Sequence, residues 1–282
     1  MFRLKAVIII TFLKRSFSRI MIHSLILGAV QGLCEFLPVS SSGHLALFQI
    51  FMGFDENMLA FDILLHFATL LATVIYFRRD IIRILTEWFG GWFTSKKHSG
   101  WPYGWAIIIA SMITAVIGLA LKSTAEKFSE SLILVGAGEI FTGLVLIMIP
   151  FIAYSRPNSS LLKTAIAVGI AQGIAVLPGV SRSGMSIAMG LFMGLGITEA
   201  FRFSFLISIP AILGATLLEL VKCIKSGGTV FLPEGYLVGA VAAFVLGFAS
   251  LVFMRQLVNA KNWAYFGVYC LAVGVTAMVL AL

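Results

Sequence analysis

Gly28-Ala-Val-Gln31-Gly32-Leu-Cys-Glu35-Phe-Leu-Pro38-Val39-Ser40-Ser41-Ser42-Gly43-His44 has a second version in the same chain. It reads Gly169-Ile-Ala-Gln172-Gly173-Ile-Ala-Val-Leu-Pro178-Gly-Val180-Ser181-Arg182-Ser183-Gly184-Met185. An offset of 141 residues carries Gly28, Gln31, Gly32, Val39, Ser40, Ser42 and Gly43 onto identical residues. The two prolines are out of step by one, and Ala60-Phe61 is echoed by Ala200-Phe201 at an offset of 140. Two halves, each with one polar cluster, point to a site assembled where the halves meet.

The surrounding chain decides the solvent. Of its 282 residues, 60% are hydrophobic and 11% are charged, against about 25% charged in a soluble domain. This is the composition of an integral membrane protein, and its 24 phenylalanines suit a lipid-facing surface. The net charge of +8 would raise nucleic acid as a partner for a soluble chain. Here basic loops on one membrane face account for it, with attraction to anionic headgroups as a secondary effect, and no nucleic-acid partner is expected. Cys34, Cys223 and Cys270 are far apart, without metal-ligand spacing or a disulfide framework.

Six stretches have close to the roughly 20 apolar residues a span requires: Leu59–Phe77, Tyr103–Leu121, Ser131–Tyr154, Ala200–Val221, Tyr236–Met254 and Trp263–Ala281. Polar breaks separate them at Arg78-Arg79-Asp80, Lys122–Glu130, Arg156–Ser160, Lys222–Gly228 and Arg255–Asn262. Around the repeated phrase the helices are too short to cross. Ser24–Leu37 and Gly43–Phe54 flank the first serine run, and Leu161–Leu177 and Gly184–Ile197 flank the second. Fourteen helical residues rise about 21 Å, less than the roughly 30 Å hydrocarbon core. Pro and Gly interrupt the helix between each pair. Irregular backbone at membrane depth is tolerated only inside protein or beside a water-filled cavity. Each pair is therefore expected to be a re-entrant helix-loop-helix.

The expected fold is an all-α polytopic membrane protein with about six transmembrane helices and two re-entrant pairs. Three spans separate the two phrases, so the second enters from the opposite face. That makes an inverted-topology repeat, with halves at about 21–141 and 160–282 in one domain over 21–282. Arg78, Arg79, Arg83, Lys96, Lys97, Arg156, Lys163, Arg255 and Lys261 fall on one face, which the positive-inside rule makes cytoplasmic. Lys122, Lys127, Lys222 and Lys225 fall on the other. The first re-entrant pair then enters from outside. Residues 1–20 stand apart. Ala6–Leu13 is an eight-residue run, apolar except for Thr11, flanked by basic residues, with no small-residue cleavage site after it. It fits an interfacial amphipathic helix, or an extension upstream of a start at Met21. Its five basic residues would sit on the outer face, against the rule.

The polar residues suggest anion chemistry. Gln31 and Glu35 are four apart and share a helix face. Glu35 is an ionisable group in a membrane segment, where function or pairing must justify it. Ser40, Ser41, Ser42 and Gly43 bring hydroxyls and N–H groups to a helix start, which is an anion site, and serine N-capping is the plain alternative. A serine of this run with His44 nearby is also the minimum for nucleophilic attack, with Ser40, Ser41 and Ser42 all candidates. Ser181, Ser183 and Gly184 repeat that build around Arg182, whose fork of donors suits phosphate oxygens. A salt bridge from Arg182 to Glu35 is the structural alternative. Asp62 and His66 lie one turn apart, as a satisfied buried pair or as catalytic support. Glu139, isolated within Ser131–Tyr154, reads as packing or dimer contact rather than chemistry, and Gly136–Gly143 as a surface for close helix approach. The set as a whole suits a phosphate or diphosphate headgroup on a lipid tail.

At these residues the chain resembles the bacitracin-resistance family of undecaprenyl-diphosphate phosphatases. Glu35-Phe-Leu-Pro-Val-Ser-Ser-Ser-Gly-His44 looks like that family's first motif and Pro178-Gly-Val-Ser-Arg-Ser-Gly184 like its second. Phe61–Thr69 and Arg202–Ala215 extend the similarity, which covers about residues 21–282. The resemblance implies hydrolysis of undecaprenyl diphosphate to undecaprenyl phosphate and phosphate, recycling the carrier lipid for cell-wall synthesis. It also implies a divalent cation (Mg²⁺ or Ca²⁺) with Glu35 as a ligand, a plasma-membrane location with the site toward the outer face, and a homodimer. By motif position Ser41 is the nucleophile, His44 its acid/base partner, and Arg182 with Ser181 and Ser183 the diphosphate clamp. Gln31 stands where the family often has a second Glu, which weakens any two-carboxylate cage. The rival expectation is a transporter or flippase for a polyprenyl phosphate, since inverted repeats and re-entrant loops also typify transporters.

Overall fold

The computed structural model describes residues 20–52, 59–94, 98–152, 160–225, 234–257 and 262–282. Residues 1–19 of the N-terminal extension lie outside that set. So do Lys96, Lys97, Arg156 and Lys261 of the basic face.

The described residues form helices only. In order these are α1 (Ile20–Phe36), α2 (Ser41–Phe51), α3 (Leu59–Tyr76), α4 (Arg78–Gly90), α5 (Gly100–Ala120), α6 (Lys122–Ser129), α7 (Leu132–Ile152), α8 (Leu161–Ile174), α9 (Arg182–Phe192), α10 (Ile197–Lys225), α11 (Glu234–Leu257) and α12 (Trp263–Leu280). Five are long and apolar enough to cross a bilayer, and α3 with α4 makes a sixth candidate. The chain is a polytopic membrane protein, as its composition requires.

Two expected breaks are helical. Arg78-Arg79-Asp80 is the first turn of α4, which leaves the axis of α3 at 71°. The reason is amphipathicity: α4 alternates charged and apolar residues at helical period and cannot continue a hydrocarbon span. Its Trp88, and Trp92 in the turn after it, pack with Trp101 and Trp105 of α5, ring centroids 5.5–6.2 Å apart within this cluster. Lys122–Ser129 is likewise a short polar helix, α6. Arg202 of α10 fastens this region, 2.8 Å from Asp80 and with its guanidinium 5.3 Å from the Tyr103 ring centroid.

Small residues set the helix spacing. A Cβ on Gly136 of α7 would lie 2.6 Å from the Gly274 carbonyl of α12, and one on Gly143 would lie 2.7 Å from the Gly267 carbonyl. The glycine run thus brings α7 and α12 into backbone contact, as expected of small-residue membrane interfaces. Thr69 and Thr73 of α3 return their hydroxyls to carbonyls of their own helix, so they satisfy themselves without water.

The helix pairs around the two serine runs match. α2 and α9 have 11 residues each. Their N-caps, Ser40 and Ser181, are extended and accept from the N–H of Gly43 and Gly184 respectively. The preceding helices, α1 and α8, are both among the shorter apolar helices. A core of Phe36, Phe77, Phe201 and Phe205 packs beside the first turn, with Phe36 and Phe205 centroids 5.7 Å apart.

Candidate active site

Pro38 ends the first helix, and Gly179 shapes the turn that leads into the second serine cap. Pro38 follows α1 and cannot supply the N–H that a further turn needs. Gly179 sits at φ +87°, in the left-handed region open to glycine. A Cβ there would also collide with the Val135 carbonyl of α7. The two turns then lock together. Ser40 Oγ accepts from its own Gly43 N–H at 3.2 Å and from Gly179 N–H of the other half at 3.1 Å. Ser183 Oγ donates to the Leu37 carbonyl at 2.9 Å. Thr142 of α7 donates to the Gly179 carbonyl and accepts from Ser181 N–H, at 3.1 and 3.0 Å.

On that frame the side chains of two halves converge on one carboxylate. Glu35 is buried, and its Oε2 accepts from Gln31 Nε2 at 3.0 Å and from Ser41 Oγ at 2.6 Å. Its Oε1 takes the Arg182 guanidinium. The i, i+4 spacing on α1 therefore does what helical geometry predicts, and the salt bridge weighed as the alternative for Arg182 is present. A narrow cleft of about 10 Å³, the size of a single water, opens beside them. Glu35, Arg182, Ser183, Ser204 and Ser208 give it polar edges.

The structure sorts the remaining candidates. Ser40 and Ser181 are capping residues, each within 3.3 Å of the hydroxyl two residues on, Ser42 or Ser183. Gly184 supplies the capped N–H of α9. His44 does not meet Ser41. Its Nδ1 donates to the Ser40 carbonyl at 2.7 Å, and its Nε2 lies 2.8 Å from the Tyr269 hydroxyl of α12. Ser41 finds Glu35 instead. His66 turns its Nδ1 to the Asp62 carbonyl of its own helix at 2.8 Å, and Asp62 accepts from Gln49 at 3.3 Å. That pair forms a separate polar cluster on α3, although His66 is close enough to interact electrostatically with Glu35.

Two residues here were beyond sequence reasoning. Tyr269 lies in an unbroken apolar span with no motif around it. Glu139, read as packing or dimer contact, is fully buried within this chain; its Oε1 is 3.4 Å from His44 Nδ1. The only signal in the sequence was an unpaired carboxylate in the middle of a span.

Glu35 does not fit a protein-made cation cage. Both its oxygens are engaged by Arg182, Gln31 and Ser41. Among the described residues no three His, Cys, Asp or Glu side chains converge on one point.

Residues 24–276 match the family described as bacitracin resistance protein BacA. The chain is 41% identical to an undecaprenyl-diphosphatase of Treponema denticola, over 89% of this chain and 94% of that protein. It is 40% identical to an undecaprenyl-diphosphatase of Carboxydothermus hydrogenoformans, over 92% of this chain and 96% of that protein. One from Korarchaeum cryptofilum is 37% identical, over 91% and 97%. A match running from α1 to α12, through both serine turns and the Glu35–Arg182 pair that joins them, means that this chain belongs to the BacA bacitracin resistance protein family.

Proposed function

We propose that this protein hydrolyses undecaprenyl diphosphate to undecaprenyl phosphate and inorganic phosphate, recycling the lipid carrier of cell-wall synthesis. The observation that carries the assignment to this site is Glu35, held between a serine hydroxyl of its own half and an arginine of the other.

The chain's own groups provide each step. The diphosphate draws the Arg182 fork onto its oxygens, because a phosphate offers Arg the same bidentate geometry as a carboxylate. Backbone N–H groups at the starts of α2 and α9 add fixed donors. Ser41 Oγ, already donating to Glu35, attacks the terminal phosphorus while Glu35 takes its proton. The bond from that phosphorus to the bridging oxygen breaks, and undecaprenyl phosphate leaves with the electron pair. The departing undecaprenyl phosphate carries that proton away from Glu35, which is again a carboxylate. Water then attacks the phosphoserine and gives one proton to Glu35, the bond from phosphorus to Ser41 Oγ breaks, Ser41 Oγ takes that proton from Glu35, and phosphate is released. In this reading His44 acts on the electrostatics of the serine turn rather than on the Ser41 proton. Ser40, Ser181 and Ser183 hold the loops, and Gln31 holds Glu35. A divalent cation, if used, would be held mainly by the substrate's own phosphate oxygens and would supply charge neutralisation there; no step above depends on it.

The same proposal has the halves inverted relative to one another, in the plasma membrane, with the site toward the outer face. Arg78, Arg79, Arg83, Lys163 and Arg255 are exposed, and on one face they would make it cytoplasmic. A homodimer completes the reading. Phosphate release from the purified protein with undecaprenyl diphosphate tests the function. Release that vanishes in Ser41→Ala supports it. Carrier movement across vesicles without phosphate release would favour the flippase reading.

A further inference from the structure

Glu139 is the carboxylate that this mechanism leaves idle. It sits within α7, fully buried, and neither of its side-chain oxygens has a hydrogen-bond partner among the described residues. A buried carboxylate is unfavourable in hydrocarbon unless something balances it. Its surroundings supply a reason for its position. Oε1 is 3.4 Å from His44 Nδ1, and a Cβ on Gly43 would come within 2.5 Å of the same oxygen. The carboxylate therefore presses on the first turn of α2, the turn that presents Ser41. A carbonyl only accepts, so His44 Nδ1, 2.7 Å from the Ser40 carbonyl, carries a proton. The other ring nitrogen meets Tyr269, whose ring lies at 13° to the imidazole.

We propose that Glu139 is a positioning residue of the site, orienting the His44 ring and through it fixing the turn that aims Ser41. The other titratable groups near this pair are Tyr269 and Cys270 of α12 and Cys34 of α1. Phenols and thiols are ordinarily neutral at pH 7, which leaves Glu139 and His44 as the two groups of this cluster able to carry charge. At 3.4 Å the carboxylate faces the protonated Nδ1 edge of the ring and favours that orientation. Glu35 and Glu139 thus brace one helical turn through different residues, Ser41 and His44. The inference rests on the reading of Ser41 given above.

The test uses full-length purified Glu139→Gln, which keeps the shape and removes the charge. Four quantities are measured: the thermal unfolding midpoint, kcat and KM for undecaprenyl diphosphate, and the ¹⁵N resonances of the histidine rings. His44→Asn identifies which resonances belong to His44. The expected result is an unfolding midpoint within a few degrees of the parent, kcat lowered at least tenfold, KM within threefold, and shifted His44 resonances. In a His44→Asn background, Glu139→Gln should lower kcat no further. A kcat within twofold of the parent, or unmoved His44 resonances, overturns the proposal. If Glu139→Gln does not fold, Glu139→Asp replaces it: retraction of the carboxylate must lower kcat at least threefold and move the resonances, and unchanged values overturn the proposal. An active Ser41→Ala defeats the site reading itself, whereas inactive Ser41→Ala with fully active Glu139→Gln defeats this inference alone.

Discussion

Arg182 and Glu35 stand 147 residues apart in the chain and form one ion pair, the arginine about a quarter exposed and the carboxylate buried. The pair closes the two halves over the serine turns and leaves the arginine accessible to an incoming anion. Arg182→Lys keeps the charge and loses the planar fork. Turnover is expected to fall by two to three orders of magnitude, about 2.7–4 kcal/mol of transition-state stabilisation. Steady-state phosphate release measures it, and activity within twofold of the parent would remove Arg182 from the site.

Gln31 holds Glu35 with a neutral donor at 3.0 Å. Gln31→Glu replaces that hydrogen bond with like-charge repulsion. Turnover without added divalent cation is expected to fall about tenfold, a loss on the scale of one charge-assisted hydrogen bond. Added Mg²⁺ should restore more activity to this variant than to the parent, because two adjacent carboxylates can share a cation. Glu35→Gln should be inactive at every Mg²⁺ concentration. Equal Mg²⁺ responses in parent and Gln31→Glu would show that position 31 faces no ligand.

Ser40 and Ser42 look interchangeable in the sequence and are not so in the fold. Ser40 is buried and its oxygen accepts from N–H groups of both halves, whereas Ser42 is exposed. Ser40→Ala is expected to destabilise the protein by about 1–3 kcal/mol, leaving the Gly43 and Gly179 N–H groups unsatisfied. Ser42→Ala should leave the unfolding midpoint within about a degree. Thermal unfolding in detergent separates the two, and equal midpoints would mean that Ser40 does not tie the halves.

What could be read in advance divides by the range of the interaction. Gln31, Glu35 and Ser41 were legible because helical spacing and a proline stop are local facts. Arg182 was legible because its phrase repeats the first. The partner of His44 was not: three residues from Ser41 in sequence, its ring turns to Tyr269, 225 positions away. Glu139 was hidden for the same reason, since only the tertiary packing of α7 on both turns gives that carboxylate a neighbour. Arg78-Arg79-Asp80 does end the α3 span, but the helix it begins, α4, shows only when the amphipathic period beyond it is followed.

Gly43 reports on that packing. In an exposed helix Gly→Ala is stabilising, by about 0.5–1 kcal/mol. Here a Cβ would come within 2.5 Å of Glu139 Oε1 and 3.3 Å of the Gly179 backbone. Gly43→Ala is expected to lower both stability and turnover. Part of the stability loss should return in the Gly43→Ala/Glu139→Ala double variant, since contacting residues are non-additive. Strict additivity of the unfolding free energies would show that Glu139 does not crowd this turn.

The attacking group gives the sharpest test of the mechanism. Ser41 Oγ donates to Glu35 at 2.6 Å, the geometry of a nucleophile resting on its base. If Ser41 attacks phosphorus, acid quench during turnover should trap a phosphate ester on the peptide containing Ser40–Ser42. Mass spectrometry should place it on Ser41. Ser41→Ala should lower turnover by at least three orders of magnitude, with little change in lipid binding, because Arg182 and the helix starts remain. If water attacks directly, no ester accumulates, and Ser41→Ala costs only a lost hydrogen bond to Glu35, about tenfold. Glu35→Gln abolishes turnover in both cases, so the trapped ester and the size of the Ser41→Ala effect decide between them.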